Sequence, residues 1–282
     1  MILIIDSGST KSDWCFLKGE DIALCVTSQG INPFHQDRDE ICSIIDAELI
    51  PAIEKNIVKE IKEVFFYGAG CATEAVCVEI KEILSAYFPA ASVYVASDML
   101  GAARALCGNK EGIACVLGTG SNSCVYDGKN IVDQIPSLGY ILGDEGSSSA
   151  LGKRLLSDCL KRQLPESVSN EFLERYNLSM NIILENVYRK PLPNRYIASF
   201  TPFLFEKKNI PEIHDLLINC FVDFFKRNVI NYHRPWLPVN FVGSIASNFS
   251  DELIETAESL GMKTVVFLKS PMDGLICYHC KK

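Results

Sequence analysis

The chain has 282 residues, 48% of them hydrophobic and 22% charged, with a formal net charge of -8. That length suits two domains without requiring them, and the composition is that of an ordinary globular protein. The acidic balance excludes an extended nucleic-acid or acidic-lipid surface, since both need clustered Lys and Arg, and no apolar run is long enough for a membrane span or a signal peptide, so a cytoplasmic protein is expected.

The apolar run Met1 to Ile5 reads as a buried strand, the stretch Asp6-Ser7-Gly8-Ser9-Thr10-Lys11-Ser12-Asp13 as a hairpin turn, and Trp14 to Leu17 as the return strand. Such a turn suits polyphosphate. Gly8 lets the backbone approach an anion, the amides of Ser9, Thr10 and Lys11 can point at phosphate oxygens, and Asp6 can hold a hydrated Mg²⁺. A third strand over Ala23 to Thr27 leads into the loop Gln29-Gly30-Ile31-Asn32-Pro33-Phe34-His35. A helix over Asp39 to Lys55 follows, with Ile41, Ile44, Ile45 and Leu49 on one face. Next come a strand at Val64 to Tyr67, a helix at Thr73 to Tyr87, a strand at Val93 to Ala96 and a helix at Met99 to Cys107. Ser97-Asp98 stands at that last junction, where two roles fit: a helix cap, or, for Asp98, a general base taking a proton from an attacking hydroxyl.

The turn Gly108 to Gly112 marks the best domain boundary, and beyond it the order repeats. Strands at Ile113 to Leu117, Ser123 to Tyr126 and Ile131 to Gln134 enclose a second candidate phosphate turn, Gly118-Thr119-Gly120-Ser121-Asn122-Ser123. Leu138-Gly139-Tyr140-Ile141-Leu142-Gly143-Asp144-Glu145-Gly146-Ser147 then sets two acids at the mouth of a helix over Glu145 to Gln163. Adjacent acids cannot flank a glycosidic bond from both sides; Asp144 suits contact with sugar hydroxyls, and both acids also suit the positive end of a helix dipole. A largely helical stretch from Ser167 to His233 precedes a strand at Val239 to Val242, a helix at Asp251 to Leu260, a strand at Thr264 to Leu268 and a helix at Pro271 to Tyr278. In Val242-Gly243-Ser244-Ile245-Ala246-Ser247-Asn248 the glycine would let a base or ribose lie on the backbone, as many strand-to-helix loops do.

The recurrence predicts an α/β protein of two related domains with the ligand in a central cleft. The expected boundaries are 1–109, completed by the C-terminal helix 271–282, and 110–270, with a helical insertion at about 165–235. Neither glycine turn matches the Walker or Rossmann fingerprint, because both lie between strands. Of the twelve cysteines, Cys15, Cys25, Cys71, Cys77, Cys115, Cys124 and Cys220 sit in apolar segments and are expected as free core thiols. Cys277 and Cys280 have metal-site spacing but lack a second pair, so no metal is expected there.

Taken together, Gly-Thr-Gly-Ser-Asn at 118 to 122, Gly-Asp-Glu-Gly-Ser at 143 to 147 and the upstream Ser97-Asp98 resemble the sugar kinase, actin and heat-shock chaperone ATPase superfamily, and within it the N-acetylglucosamine kinase-like branch. The resemblance implies two ribonuclease-H-like domains, with Thr10 and Thr119 on the ATP phosphates and Ser244 and Asn248 near the adenosine. It further implies sugar contacts from Asn32, Asp98, Ser121, Asn122, Gly139 and Asp144, with Asp98 as base for the 6-hydroxyl and Asp6 near Mg²⁺ through water. The expected ligands are ATP, Mg²⁺ and a small amino sugar, most naturally N-acetylglucosamine, and the expected assembly is a homodimer. Leu138 departs from the aromatic residue that the branch often carries there. The rival readings are an N-acetylmuramic acid kinase, an ATPase activator of the 2-hydroxyacyl-CoA dehydratase or benzoyl-CoA reductase type, and a non-catalytic sugar sensor. The activator needs cysteines free to hold an iron-sulfur cluster.

Overall fold

The structure is a computed structural model that describes residues 1–280. Strands β1 (Ile2–Ser7), β2 (Lys11–Lys18) and β3 (Asp21–Gln29) form an antiparallel meander, and β4 (Glu63–Gly68) and β5 (Ser92–Ser97) add in parallel, giving the order β3-β2-β1-β4-β5. The second sheet holds β6 (Glu111–Leu117), β7 (Ser121–Asp127), β8 (Ile131–Asp133), β9 (Val239–Val242) and β10 (Thr264–Leu268) in the order β10-β9-β6-β7-β8. Read from the opposite edge, the two orders are the same. The fold is therefore α/β with two mixed five-stranded sheets.

The chain divides into two compact units: Met1–Lys110 with Gly128–Ile131 and the segment from Ser270 onward, and Glu111–Asp127 with Val132–Lys269. The sequence dictates the central strands of each. Leu3, Ile4 and Ile5 of β1 and Ile113, Ala114 and Cys115 of β6 are fully buried, as expected of strands covered on both faces. Trp14 on β2 is buried with its indole N–H donated to Ser28 Oγ at 2.8 Å, so the ring adds its apolar area without an unpaired donor.

The expected long helix at 39–55 is broken. Helix α1 (Arg38–Ile44) starts within one residue of the expected position, on a reciprocal cap in which Asp37 and Glu40 bond each other's backbone amides. It loosens into a π turn over Ile45–Leu49 and a 3₁₀ turn over Ile50–Ala52, because Pro51 has no amide proton to continue the ladder. Helix α2 (Lys55–Glu60) follows as a separate element. Helix α3 (Glu74–Tyr87) is capped by Thr73 and buries Ile80, Ile83 and Leu84. The stretch after β8 is helical, with α5 (Gly139–Leu142), α6 (Ser148–Leu160), α7 (Glu166–Arg175), α8 (Met180–Tyr188), α9 (Pro193–Ala198), α10 (Thr201–Lys207) and α11 (Pro211–Phe224), and α12 (Ser244–Asn248) and α13 (Ser250–Ser259) lie between β9 and β10. Phe172, Phe203, Phe221 and Phe224 from these helices, and Phe200 just before α10, are buried in one cluster with Phe241 of β9.

Within the first unit, α4 (Asp98–Cys107) and α14 (Met272–Cys280) lie against each other so closely that a side chain at Gly274 would fall 2.4 Å from the Ala105 carbonyl oxygen. Met272 and Leu275 cover a patch made by Ile4, Cys15, Leu17 and Tyr67. His279 is buried there and meets the Tyr67 hydroxyl at 2.9 Å, which also accepts from Arg104 at 2.8 Å.

The cysteine expectation needs one correction. Cys15 and Cys25, directly opposed on β2 and β3, form a disulfide with a Cα–Cα separation of 4.4 Å. Strand register brings them together, and spacing along the chain could not show it. Cys71, Cys77 and Cys220 are free thiols, as expected. Among the described residues no helix is long and apolar enough to cross a membrane.

Candidate active site

In the first unit the expected eight-residue turn is shorter. Asp6 pairs with Asp13 and Ser7 with Ser12 inside the β1–β2 ladder, so only Gly8, Ser9 and Thr10 form the turn, closed by Gly8 N–H donating to the Lys11 carbonyl at 3.0 Å. Polar residues at a strand end look like a loop in sequence, and only the register assigns them to the ladder. Ser9 and Thr10 are exposed, while the Lys11 ammonium is directed to Asp13 at 2.7 Å. The turn is seated on the strand-to-loop junction beyond β3: a side chain at Gly30 would lie 2.2 Å from the Gly8 carbonyl oxygen. Asn32 is buried and ties two loops together, its Nδ2 donating to Ser9 Oγ at 2.7 Å and its Oδ1 accepting from Phe34 N–H at 3.0 Å.

Asp98 is the first residue of α4, and the capping role falls to Ser97, whose Oγ accepts from Leu100 N–H at 3.2 Å. The cap does not consume the Asp98 carboxylate. Its Oδ1 accepts from Met99 N–H at 2.8 Å. Water reaches the side chain, yet the protein crowded around it raises its pKa above the ordinary carboxylate value, the Met99 bond acting the other way. Burial above all, then Cys77 and the Asp98 charge, disfavour the thiolate of Cys71 and push its pKa up to about 12.

The Asp6 carboxyl is pushed up to about 7, first by burial and then by the charges of Asp13 and Asp98, with Lys11 opposing. Carboxylate oxygens are the donors Mg²⁺ takes, and a divalent cation beside Asp6 would offset the repulsion that raises its pKa. Among the described residues no group of three or more His, Cys, Asp or Glu is placed to hold a metal by itself. A hydrated ion completed by phosphate oxygens fits this donor set better than a protein cage.

The raised value has a stability consequence. Asp6 binds its proton more tightly folded than unfolded, so its contribution is full below about pH 4 and is lost as pH rises through about 7. In metal-free buffer the melting temperature of the wild type should fall between pH 5 and 8 by more than that of Asp6→Asn. At pH 8 the variant should be the more stable by on the order of 2 kcal/mol, after discounting for the water that reaches the group. Parallel pH curves for the two proteins would refute the assignment.

In the second unit, Gly118-Thr119-Gly120 is the turn proper, and Ser121 and Asn122 begin β7. The helix expected from Glu145 begins instead at Ser148, capped by Ser147, whose Oγ accepts from Ala150 N–H at 3.2 Å. Asp144 and Glu145 therefore precede the helix and do not open it. Asp144 sits in a left-handed turn at φ 58° and is buried against the glycine turn, its Oδ1 accepting from Ser121 N–H at 3.0 Å. Burial raises its pKa, the Ser121 bond lowers it, and neighbouring Glu145 raises it again.

Sequence reasoning missed the serines after that loop. Ser148 N–H donates to the Gly118 carbonyl at 2.9 Å, Ser149 N–H to the Thr119 carbonyl at 3.2 Å, and Ser149 Oγ to the same Thr119 oxygen. The run Ser147-Ser148-Ser149 after Gly146 was the available signal. Asn122 Oδ1 accepts from Gln134 Nε2 at 3.1 Å, and Gly139 opens α5, its carbonyl accepting from Gly143 N–H at 2.8 Å. Ser244 and Asn248 bound the short helix α12 (Ser244–Asn248), which packs on β6, β9 and β10. Gly243 before it touches the end of β6 where the glycine turn starts.

Each unit thus gathers its own share of the expected site residues: Asp6, Gly8 to Lys11, Asn32 and Asp98 in one, and Thr119 to Asn122, Gly139, Asp144, Gly243, Ser244 and Asn248 in the other. Comparison of whole structures bears on the kind of protein that carries such an arrangement. A "Putative N-acetylglucosamine Kinase" from Porphyromonas gingivalis matches with a TM-score of 0.95 and 48% identity, over 100% of this chain and 99% of that one. The chain belongs to the N-acetylglucosamine kinase-like family. That family lies in the actin-like ATPase superfamily. Two more distant structures share the fold. A "Putative N-acetylglucosamine Kinase" from Chromobacterium violaceum has 17% identity and a TM-score of 0.73 over 98% of each chain. A ROK hexokinase from Thermus thermophilus has 12% identity and a TM-score of 0.57 over 98% of each chain. No protein-family model and no curated protein sequence matches the chain.

Proposed function

We propose that the chain is an ATP-dependent sugar kinase that phosphorylates the 6-hydroxyl of N-acetylglucosamine. The whole-length match at 48% identity to the P. gingivalis protein carries this reading. At that identity the chain shares more than a fold with its relative, which the two distant structures do not by themselves argue.

The residues have chemistry suited to each task. The Gly8-Ser9-Thr10 and Gly118-Thr119-Gly120 turns are short and glycine-bearing, so their backbones can approach phosphate oxygens. Gly243, Ser244 and Asn248 would meet the nucleoside end. Asn32, Ser121, Asn122, Gly139 and Asp144 would orient the sugar. Asp98 would accept the proton that the 6-hydroxyl releases as it attacks the γ-phosphorus, a task for which a carboxylate with raised pKa is better matched than an ordinary one. Asp6 would hold hydrated Mg²⁺, which when bound neutralises charge on the phosphate oxygens. Since phosphoryl transfer asks mainly for positioning and charge stabilisation, a site of backbone amides, small side chains and one base is sufficient. Cytoplasmic location and a homodimeric state go with this reading, and sedimentation reads the latter.

The test is ADP release with MgATP against N-acetylglucosamine, N-acetylmannosamine, N-acetylmuramic acid, glucose and a no-sugar control. The highest kcat/KM should fall on N-acetylglucosamine, with the phosphate on O6 by NMR. ADP release indifferent to sugar, or faster with N-acetylmuramic acid, would displace the proposal.

A further inference from the structure

Phe34 is a large apolar side chain left 79% exposed, on a loop that is anything but loose. Its own N–H is held by Asn32 Oδ1 at 3.0 Å, and the amides of His35 and Gln36 donate to the Asn32 carbonyl at 3.0 and 3.1 Å. The Gln36 side chain closes the loop from the other side, accepting from Asn32 N–H at 2.7 Å and donating to the Gly30 carbonyl at 3.1 Å. His35 packs edge-on against the Phe34 ring with centroids 4.9 Å apart. A scattered surface phenylalanine needs no explanation. A ring held rigidly in water beside a polar site asks for one, because ordering it in advance lowers the entropic cost of placing a ligand on it.

The loop's neighbours locate the ring. Its base bonds the first phosphate turn through Asn32 and Ser9, at 2.7 Å. Its tip abuts the loop after β4: a side chain at Gly70 would lie 2.2 Å from Asn32 Oδ1 and 3.1 Å from Phe34 N. The register sets Ser7, Gly68 and Ser97 side by side at one end of the sheet, so this loop after β4 and Asp98 at the start of α4 share that end. Phe34 therefore lies on the same wall of the first unit as Ser9 and Asp98. That wall also carries Asp6 and Asp13, so an anion there needs a cation beside it, as the phosphates have in Mg²⁺, whereas a flat ligand without one is better neutral. A pyranose has hydroxyls around its edge and C–H groups on its face; polar groups such as Asn32 suit the edge and an aromatic face suits the C–H groups.

We propose that Phe34 is a stacking platform for the face of the hexosamine ring and sets the affinity for the sugar acceptor. The inference rests on the kinase reading above. Phe34→Ala should raise KM for N-acetylglucosamine about tenfold, with KM for ATP and kcat each changed less than about twofold. Its melting temperature should stay at the wild-type value, since the ring is exposed, and Phe34→Trp should restore the sugar KM. Wild-type turnover with an unchanged sugar KM in Phe34→Ala would overturn the platform alone. Loss of ATP affinity or thermal stability in step with the sugar KM would overturn it in favour of a structural role. If the wild type phosphorylates no hexosamine, the kinase reading falls and the platform with it.

Discussion

Replacing Asp98 by asparagine is expected to lower kcat for sugar phosphorylation about a thousandfold, within the range that a positioned general base contributes. Affinity for ATP should stay within about twofold of wild type. Asparagine keeps the shape of the side chain and its acceptor for Met99 N–H, so α4 should start where it does now, with Ser97 still capping Leu100. What it loses is the ability to take a proton. The wild-type rate should fall on the acid side as the Asp98 carboxylate, raised in pKa by its crowded surroundings, becomes protonated. The residual rate of the variant should be flat over that same range. Single-turnover kinetics separate this from a fault in product release. A variant retaining more than about a tenth of the wild-type kcat would remove Asp98 from the role of base.

The second large effect concerns stability. Gly243 has φ 122°, a conformation in which an L side chain is strained, and a methyl there would lie 2.2 Å from the Leu117 carbonyl oxygen and 2.7 Å from its carbon. Both obstacles are backbone, in the strand that ends at the second glycine turn, so no side-chain rotation relieves the clash. Gly243→Ala should cost at least about 3 kcal/mol, lowering the melting temperature by on the order of 10 °C in a chain of this size. A suitable control is Gly261, at φ 71° with nothing within 4 Å of the added carbon. There the cost is conformational alone, about 1 kcal/mol, or roughly 3 °C. Equal melting temperatures for the two variants would show that the β9–α12 junction yields easily. The glycine is then not required by the approach to Leu117.

The parts of this fold that were legible in the sequence are those governed by local pattern. Runs such as Ile113 to Leu117 are too apolar and too short to be anything but buried strands, and the repeated order of strands and helices matches two sheets of one topology. Pro51 stands inside a stretch whose apolar spacing, Ile41 to Leu49, suits one continuous helix, and it is the residue that ends the ladder. What stayed hidden depends on register or on distant contacts. Asp6 and Asp13 look like loop residues until the ladder pairs them. Cys15 and Cys25 become neighbours only across β2 and β3. Asp144-Glu145 has the chemistry of a helix start, yet the Ser121 amide claims the Asp144 carboxylate and the helix waits until Ser148. For Asp98 both roles were open, and the Ser97 hydroxyl on Leu100 N–H assigns the cap to the serine.

The close fit of α14 on α4 also has a consequence for how the protein is made. The patch of Ile4, Cys15, Leu17 and Tyr67 belongs to the first unit, but Met272 and Leu275, which cover it, leave the ribosome only after Glu111–Asp127 and Val132–Lys269 have been translated. At bacterial and eukaryotic elongation rates that interval is on the order of 10 to 30 s. For that time the nascent amino-terminal lobe shows a greasy face to chaperones. A transcript truncated ahead of Ser270 would leave it so permanently, marking the product for disposal even though every strand of both sheets had been synthesised.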